Sequence, residues 1–215
     1  MPDHDAVTSG GAGMRVLPYG DRALLVEVGD LAAVAGLRAA LDRAPLPGQR
    51  ELVPAARTVL VLLDRAPTDL DVATLRRLPL EAAGPEDAAA LVTLPVVFDG
   101  PDLTEVADLA GRSVPALVRE LTAAELTVAF SGFAPGFGYL AGLPTDLHVP
   151  RRATPRTRVP AGSVALAGPF AGVYPRASPG GWQLVGRTDA VLFDVDREPP
   201  ALLVPGVRVR FREVG

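Results

Sequence analysis

The sequence predicts a two-part fold, in which a small α+β N-terminal domain precedes a mainly-β C-terminal domain that closes, or nearly closes, into a barrel. Residues 14–83 alternate short apolar strands with two helix-like segments. Residues 91–215 hold many short apolar runs separated by Gly and Pro, after only two early helices. Residues 82–90 are mostly small and include Gly84-Pro85, which is typical of a domain boundary. Residues 1–13 are predicted to be a disordered tail.

The N-terminal domain is predicted to follow the order β-β-α-β-β-α. Asp30 has the side chain of a helix cap, and the helix after it runs to about Arg43. Thr68 or Asp69 begins a second helix, which carries Leu70, Leu75 and Leu78. The predicted strands are Met14–Pro18, Arg22–Val28, Arg50–Ala56 and Arg57–Leu63.

The C-terminal domain is predicted to begin with one strand and two helices. The Asp102–Glu105 segment has the pattern of a capping box and leads a helix that ends at Gly111. Ser113 caps the next helix, with Pro115 in its first turn. The predicted strands are Leu91–Phe98, Leu126–Ser131, Ser163–Ala167, Gln183–Val185, Val191–Asp194 and Val207–Arg212.

Composition excludes several classes of function. The chain has no Cys and no Lys, which rules out thiol catalysis, Cys-ligated metals, a P-loop lysine and a lysine-linked covalent cofactor. A net charge of −4 argues against nucleic-acid binding. No apolar run is long enough for a membrane span, and the first residues do not resemble a signal peptide. We therefore expect a cytoplasmic protein.

The stretch from Phe130 to Arg187 is the predicted functional region. It is dense in Gly and Pro and contains the only Trp, Trp182. Arginine forks and backbone N–H groups held by tight turns are suited to capturing a carboxylate, a carbonate or a phosphate. One segment of eight residues in this stretch contains four arginines: Arg151, Arg152, Arg156 and Arg158. The alternative for each Gly or Pro is a corner of the barrel.

Other chemistries find little support in this stretch. A serine triad would depend on His148, because the only other His lies in the tail, and no HExxH metal motif is present. Gly132, Gly136 and Gly138 do not form a dinucleotide fingerprint. The aromatic residues could wall a small site or a protein interface, although Phe133 and Phe137 are expected in the barrel core; for Trp182 the two alternatives stay open.

Three motifs closely resemble the family of B-type subunits of 5-oxoprolinase, also called allophanate hydrolase subunit 1 or the KipI-type kinase inhibitor. They are GFAPGFGYLAGLP at 132–144, PRRATPRTRVPAGSVALAG at 150–168 and YPRASPGGWQLVGRT at 174–188. The likeness extends over nearly the whole chain after the tail.

The resemblance implies a cyclophilin-like barrel and a heteromeric enzyme that opens 5-oxoproline to glutamate with ATP as co-substrate; which chain binds ATP is left open. It implies two partner subunits, one of the carboxyltransferase-like C type and one of the A type, and a small amide substrate. The motif residues carried over as anion-binding, hydrogen-bonding, wall or interface residues are Arg151, Arg156, Ser163, Ser178, Trp182, Gln183 and Arg187. Turn glycines are Gly132, Gly136, Gly180 and Gly181. No catalytic residue and no metal ligand is assigned.

The chain also departs from the expected family pattern. Leu121 and Leu126 stand where a His and a Tyr are expected, and Ser131 replaces an apolar residue. If the expected His handles substrate, activity would be altered here. The alternative function is regulatory, the inhibition of a sensor histidine kinase by binding; a prolyl isomerase is suggested by the barrel alone.

Overall fold

The computed structural model describes residues 14–80 and 90–215, which form two compact units. We call residues 14–80 the N-terminal unit and residues 90–215 the barrel unit. The predicted tail and most of the predicted boundary segment lie outside the described residues. Within those residues, no helix is long and apolar enough to cross a membrane.

The N-terminal unit has the predicted element order. Its strands form an antiparallel sheet in the order β1-β2-β4-β3. The strands are β1 (Arg15–Tyr19), β2 (Ala23–Glu27), β3 (Gln49–Pro54) and β4 (Thr58–Leu63), and the helices are α1 (Leu31–Arg43) and α2 (Asp69–Arg77). Alternate residues of β4, Val59, Val61 and Leu63, enter the core, where α1 adds Val34 and Leu37.

The start of α2 is held by a buried carboxylate that the sequence did not single out. Thr68 caps the helix and forms a capping box with Asp71, whose Oδ2 accepts from the Thr68 backbone at 2.7 Å. Arg65 donates to both oxygens of Asp71, at 2.7 and 2.8 Å. Leu70, which the sequence places on this helix, is 72% exposed. The start of the helix is therefore held by an ion pair in which the carboxylate is buried and the arginine is partly exposed.

The barrel unit consists of a seven-stranded sheet, a two-stranded ribbon and two helices. The sheet order is β12-β9-β10-β7-β6-β13-β5, and the ribbon pairs β11 with β8. The bounds are β5 (Leu91–Val96), α3 (Leu103–Leu109), α4 (Val114–Ala123), β6 (Leu126–Ser131), β7 (Gly138–Ala141), β8 (Arg156–Val159), β9 (Ser163–Ala167), β10 (Phe170–Val173), β11 (Ser178–Gly180), β12 (Gln183–Arg187) and β13 (Arg208–Glu213).

The seven-stranded sheet is a nearly closed, mixed barrel. Neighbouring strands are antiparallel except β13 and β5, which run parallel. Val97, just past β5, exchanges two 2.9 Å backbone hydrogen bonds with Arg187 at the end of β12. These bonds bring the first and last strands together at one end, as the prediction of a nearly closed barrel requires.

Two predictions for the barrel unit are wrong. Asp102 precedes α3, but its side chain makes no capping hydrogen bond, because the carboxylate is used elsewhere in the fold. The segment Val191–Asp194 is not a strand and has one isolated bridge, between Phe193 and Ala201. Arg197 reaches back to the carbonyl oxygens of Val191 and Leu192, which stabilises this segment as an irregular loop.

Candidate functional site

Strand β9 separates two hydrophobic clusters, and the candidate site lies on the second of them. Val164 and Leu166 point into the main barrel core, whereas Ala165 and Ala167 point to the opposite face. This follows from the two-residue period of a strand, and it explains why all five residues of β9 are buried. The opposite face is covered by an aromatic cluster centred on Phe137, Tyr174 and Trp182.

The aromatic rings pack edge to face against one another. The ring centroid of Phe137 lies 5.5 Å from those of both Tyr174 and Trp182, and 5.1 Å from that of Tyr139. Gly172 of β10 allows this close approach, since a Cβ at that position would lie 2.8 Å from the Phe137 ring and 3.0 Å from Trp182. Phe137 is buried as predicted, but in this second cluster and not in the main barrel core.

The prediction that Phe133 lies in the barrel core is wrong. Phe133 is 58% exposed, and its φ of 66° is the one left-handed backbone among non-glycine residues in the described part of the chain. Such a conformation costs roughly 1–3 kcal/mol for a residue with a side chain, and it occurs most often where a functional site requires it. Here it carries the ring to 5.3 Å from Phe137 and 5.9 Å from Tyr174, at the rim of the cluster.

A small concave site opens on this cluster, and we call it the aromatic basin. Its volume is about 100 Å³, and its lining residues are Phe133, Phe137, Tyr139, Arg151, Tyr174, Gly180, Gly181 and Trp182. The Arg151 guanidinium carbon lies 6.0 Å from the Trp182 ring centroid, within the range of a cation–π contact. Arg151 has no ion pair within the described residues and remains exposed.

The basin is lined by aromatic rings and by polar groups, among them those of Tyr139, Arg151 and Tyr174. Burial raises the pKa of the Tyr174 phenol, so that this group is a neutral hydrogen-bond donor at physiological pH. Gly180 allows the phenol to approach, because a Cβ there would lie 2.4 Å from the Tyr174 oxygen. Within residues 14–80 and 90–215, no carboxylate or imidazole lines the basin. It can therefore bind an anion beside a planar group, but its lining supplies no general base.

A buried carboxylate ties the walls of the basin together. Asp102 is 2% exposed, and its Oδ1 accepts from Arg152 at 2.8 Å and from Arg156 at 2.7 Å. Its Oδ2 accepts from the backbone N–H of Leu184 at 2.7 Å. Burial alone would raise the pKa of Asp102, but these hydrogen bonds and the charges of the two arginines outweigh it and lower the pKa below the ordinary value.

Three of the predicted site residues lie directly beside the basin. Arg156 pairs across the ribbon with Gly180, and Ser178 begins the same ribbon strand, while Gln183 follows Trp182. Each has a buried polar atom with no partner in the described residues, namely Arg156 Nη1, Ser178 Oγ and Gln183 Oε1. Buried polar atoms are usually paired with protein or water. We call these three residues, which adjoin the basin in the sequence or the ribbon, its polar layer.

The structure places the remaining two predicted side chains elsewhere. Arg187 lines a separate cavity of about 280 Å³, which we call the Arg187 cavity, with Pro95, Val97, Thr188, Asp189, Ala190 and Val214. Its Nε donates to Asp99 at 3.0 Å. Ser163 pairs with Arg187 across the sheet, and its hydroxyl donates to the Pro160 carbonyl. Arg187 and Ser163 thus belong neither to the basin nor to its polar layer.

The other predicted positions are structural. Gly132 and Gly136 shape the turn that carries Phe133, and Gly180 and Gly181 line the basin. Leu121 and Leu126, the two departures from the family pattern, are 0% and 1% exposed in the barrel core and line neither cavity.

The arrangement gives no sign of a triad or a metal site. His148 is exposed, and its Nε2 lies 3.2 Å from the Leu143 carbonyl oxygen, with no serine bonded to it in the described residues. Residues 14–80 and 90–215 contain no group of three or more side chains able to hold a metal ion.

Sequence reasoning missed Asp102 and Tyr174 as parts of the site. Asp102 precedes a helix, where an aspartate has an ordinary explanation as a cap, so the sequence carried no further signal. Tyr174 stands in the third motif, and that position was the available signal.

With this geometry in place, comparison with known proteins identifies the family. Residues 14–203 match the carboxyltransferase domain, subdomain C and D. The chain belongs to this family. The B-type subunit of 5-oxoprolinase from Escherichia coli O157:H7 is 45% identical over 172 residues, which cover 77% of this chain and 78% of the relative. The Bacillus subtilis protein of the same name is 32% identical over 220 residues, with 89% of each chain covered.

Solved structures agree with this assignment. The crystal structure of the protein TTHA0988 matches with 38% identity and a TM-score of 0.73, over 90% of this chain but 40% of its own. This chain therefore spans less than half of that longer protein. Urea carboxylase of Kluyveromyces lactis matches with a TM-score of 0.73 over 94% of this chain and 22% of its own, at 22% identity, and shows the shared fold alone. None of these four names points to a kinase inhibitor.

Proposed function

We propose that this chain is the B-type subunit of a heteromeric, ATP-dependent 5-oxoprolinase. The observation that carries the proposal is the 45% identity to a relative named as the B-type subunit of 5-oxoprolinase. In the proposed reaction the amide oxygen of 5-oxoproline attacks the γ-phosphate of ATP and ADP leaves. Water then attacks the activated carbon, and phosphate and glutamate are released. The proposed fold is a small α+β domain at 14–83 followed by a cyclophilin-like barrel domain at 91–215.

The aromatic basin is the proposed contact of this chain with the substrate. 5-Oxoproline is a small five-membered ring with one carboxylate. The basin offers a flat aromatic ring beside an arginine that has no ion pair among the described residues. A guanidinium binds a carboxylate with two parallel hydrogen bonds, and the low dielectric of an aromatic wall strengthens that contact. Arg151 is therefore assigned to the carboxylate and Trp182 to the ring.

The size and the chemistry of the basin support a shared active site. Its volume of about 100 Å³ is below the roughly 300–1,000 Å³ of complete ligand pockets. Its lining also lacks a group that could activate water. We infer that partners of the carboxyltransferase-like C type and of the A type complete the pocket and contribute the remaining catalytic groups. This chain is then not an enzyme by itself.

The test is reconstitution of 5-oxoproline-dependent ATP hydrolysis from this chain and the two partner proteins. The expected result is activity that requires all three proteins and a stable complex in size-exclusion chromatography. Arg151→Ala should raise the KM for 5-oxoproline by about tenfold or more, because a charged hydrogen-bond pair is lost. Arg158→Ala is the matched control, since Arg158 is also exposed, has no ion pair in the described residues and does not line the basin.

Absence of turnover with all three proteins present would overturn the proposed function. Turnover that is unchanged by Arg151→Ala would leave the function standing but remove the aromatic basin as the substrate contact.

A further inference from the structure

Asp102 directly precedes helix α3, but its side chain makes no hydrogen bond to that helix. An aspartate there normally accepts a hydrogen bond from the second or third N–H of the helix. Both oxygens of Asp102 instead accept from residues that follow it by 50, 54 and 82 positions. Burying a carboxylate is costly unless it is paired, so its location reflects a tertiary task and not a local one.

Asp102 forms hydrogen bonds with both chain segments that carry the Arg151–Trp182 contact. On one side, Asp102 holds Arg152, the residue after Arg151. On the other, it exchanges two hydrogen bonds with Leu184, two residues after Trp182: the Leu184 N–H donates to Oδ2 at 2.7 Å, and the Asp102 N–H donates to the Leu184 carbonyl at 3.0 Å. One residue thus ties together the two segments that carry the contact.

Two hydrogen bonds without a charged acceptor join the same two segments directly. The Arg152 N–H donates to the Gly181 carbonyl at 2.8 Å, and Gln183 Nε2 donates to the Pro150 carbonyl at 3.3 Å. Among the described residues, however, Asp102 is the one side-chain acceptor within hydrogen-bond distance of the Arg152 and Arg156 guanidinium groups. Removing its charge would leave Arg156 without an ion pair among the described residues and Arg152 with only its longer pair to Glu105, at 3.8 Å.

We propose that Asp102 is a positioning residue that holds Arg151 against Trp182 and so sets the carboxylate-binding end of the aromatic basin. The inference rests on the proposed function only where substrate is concerned, because the geometry of the contact can be followed without substrate. Asp102 lines neither cavity, so it acts through Arg152, Arg156 and Leu184.

The test begins with the isolated full-length chain, in which Trp182 is the only tryptophan. Trp182 is 5% exposed, and Asp102→Asn should shift its emission to longer wavelength as the Arg151 segment loosens. Asp71→Asn is the matched control, because it removes the charge of another buried, arginine-paired carboxylate, in the N-terminal unit. The control should leave the emission of the folded chain unchanged.

The second readout is kinetic and uses the reconstituted complex. Asp102→Asn should raise the KM for 5-oxoproline by about tenfold, with a smaller change in kcat, because binding geometry is lost and no reacting group is removed. The double variant Arg151→Ala/Asp102→Asn should have the KM of Arg151→Ala alone, since both changes disable one contact. Arg152→Gln, which keeps the Asp102–Arg156 pair, tests the same link if Asp102→Asn does not fold.

A folded Asp102→Asn variant with wild-type emission and wild-type KM would overturn the proposal. Fully additive effects of the two changes would overturn it as well, because Asp102 would then act independently of Arg151. If the wild-type complex shows no activity, the proposed function fails, but the emission shift still decides whether Asp102 positions Arg151.

Discussion

Two concave sites of the barrel unit each have an arginine in their lining, and the two arginines differ in what holds them. In the Arg187 cavity the lining arginine itself is engaged, at 3.0 Å from Asp99, and both side chains are about half exposed. In the aromatic basin the acidic partner is buried and binds arginines behind the wall, which leaves Arg151 without an ion pair in the described residues. The larger cavity is therefore the weaker candidate for anion binding, despite its volume.

This difference shows how a fold can keep a cation available for a ligand. A buried carboxylate with fixed partners stabilises the surrounding segments, whereas an exposed ion pair contributes little and occupies the cation. Changes at the two sites should therefore differ in both size and kind.

The largest expected effect is the loss of stability in Asp102→Asn. Removing one partner of a buried ion pair costs about 3–5 kcal/mol, and the partial exposure of both arginines places this variant near the lower limit. Urea denaturation followed by Trp182 fluorescence measures the change. A loss smaller than that of Asp99→Asn would contradict the contrast between the two sites.

Acid should weaken the barrel unit through the same carboxylate. The pKa of Asp102 in the folded state lies below its ordinary value, so its contribution to the unfolding free energy is present above about pH 4 and is lost as the pH falls through the folded-state pKa. For one proton the slope cannot exceed about 1.4 kcal/mol per pH unit. The difference in unfolding free energy between wild type and Asp102→Asn should shrink over this range. A difference independent of pH would contradict the assignment.

Phe133→Gly should weaken 5-oxoproline binding without lowering the free energy of unfolding. Glycine adopts the left-handed backbone at no steric cost, so the unfolding free energy should stay level or rise by up to about 1 kcal/mol. Loss of the ring should weaken 5-oxoproline binding about threefold or more, as expected for lost aromatic contacts. Phe133→Ala is the control, because it loses the ring but keeps the strain, and it should be the less stable of the two. Equal stability of the two variants would show that the strain is not stored at this position.

The smallest effect is expected at the Arg187 cavity. Arg187→Ala should lower the unfolding free energy by less than about 1 kcal/mol, since the ion pair with Asp99 is exposed and screened by salt. The KM for 5-oxoproline should stay within about twofold of wild type, because this arginine does not line the basin. A KM increase as large as that of Arg151→Ala would reverse the ranking of the two sites.

Much of the fold followed from the sequence, because its signals are local. Apolar periodicity and capping residues correctly predicted α1, α2 and α4 and most of the strands, including Leu126–Ser131 and Ser163–Ala167 residue for residue. The prediction of a strand at Val191–Asp194 was wrong, because an apolar run gives no information on whether a neighbouring strand is available for pairing. The Gly- and Pro-rich motifs also indicated the region in which the basin lies, since tight turns and close ring packing leave a direct compositional trace.

The tertiary structure alone decided which arginine is available. Arg151, Arg156 and Arg187 are equivalent in the sequence as candidate anion ligands, yet each has a different environment in the fold. Asp102 lies at least 50 residues from each of its three partners along the chain, and Asp99 lies 88 residues from Arg187. A charge is neutralised by what is near it in space, and that proximity is created only when the strands assemble into the barrel. The sequence therefore determined which residues could bind an anion, and the fold decided that, of these three arginines, Arg151 is the one without an ion pair among the described residues.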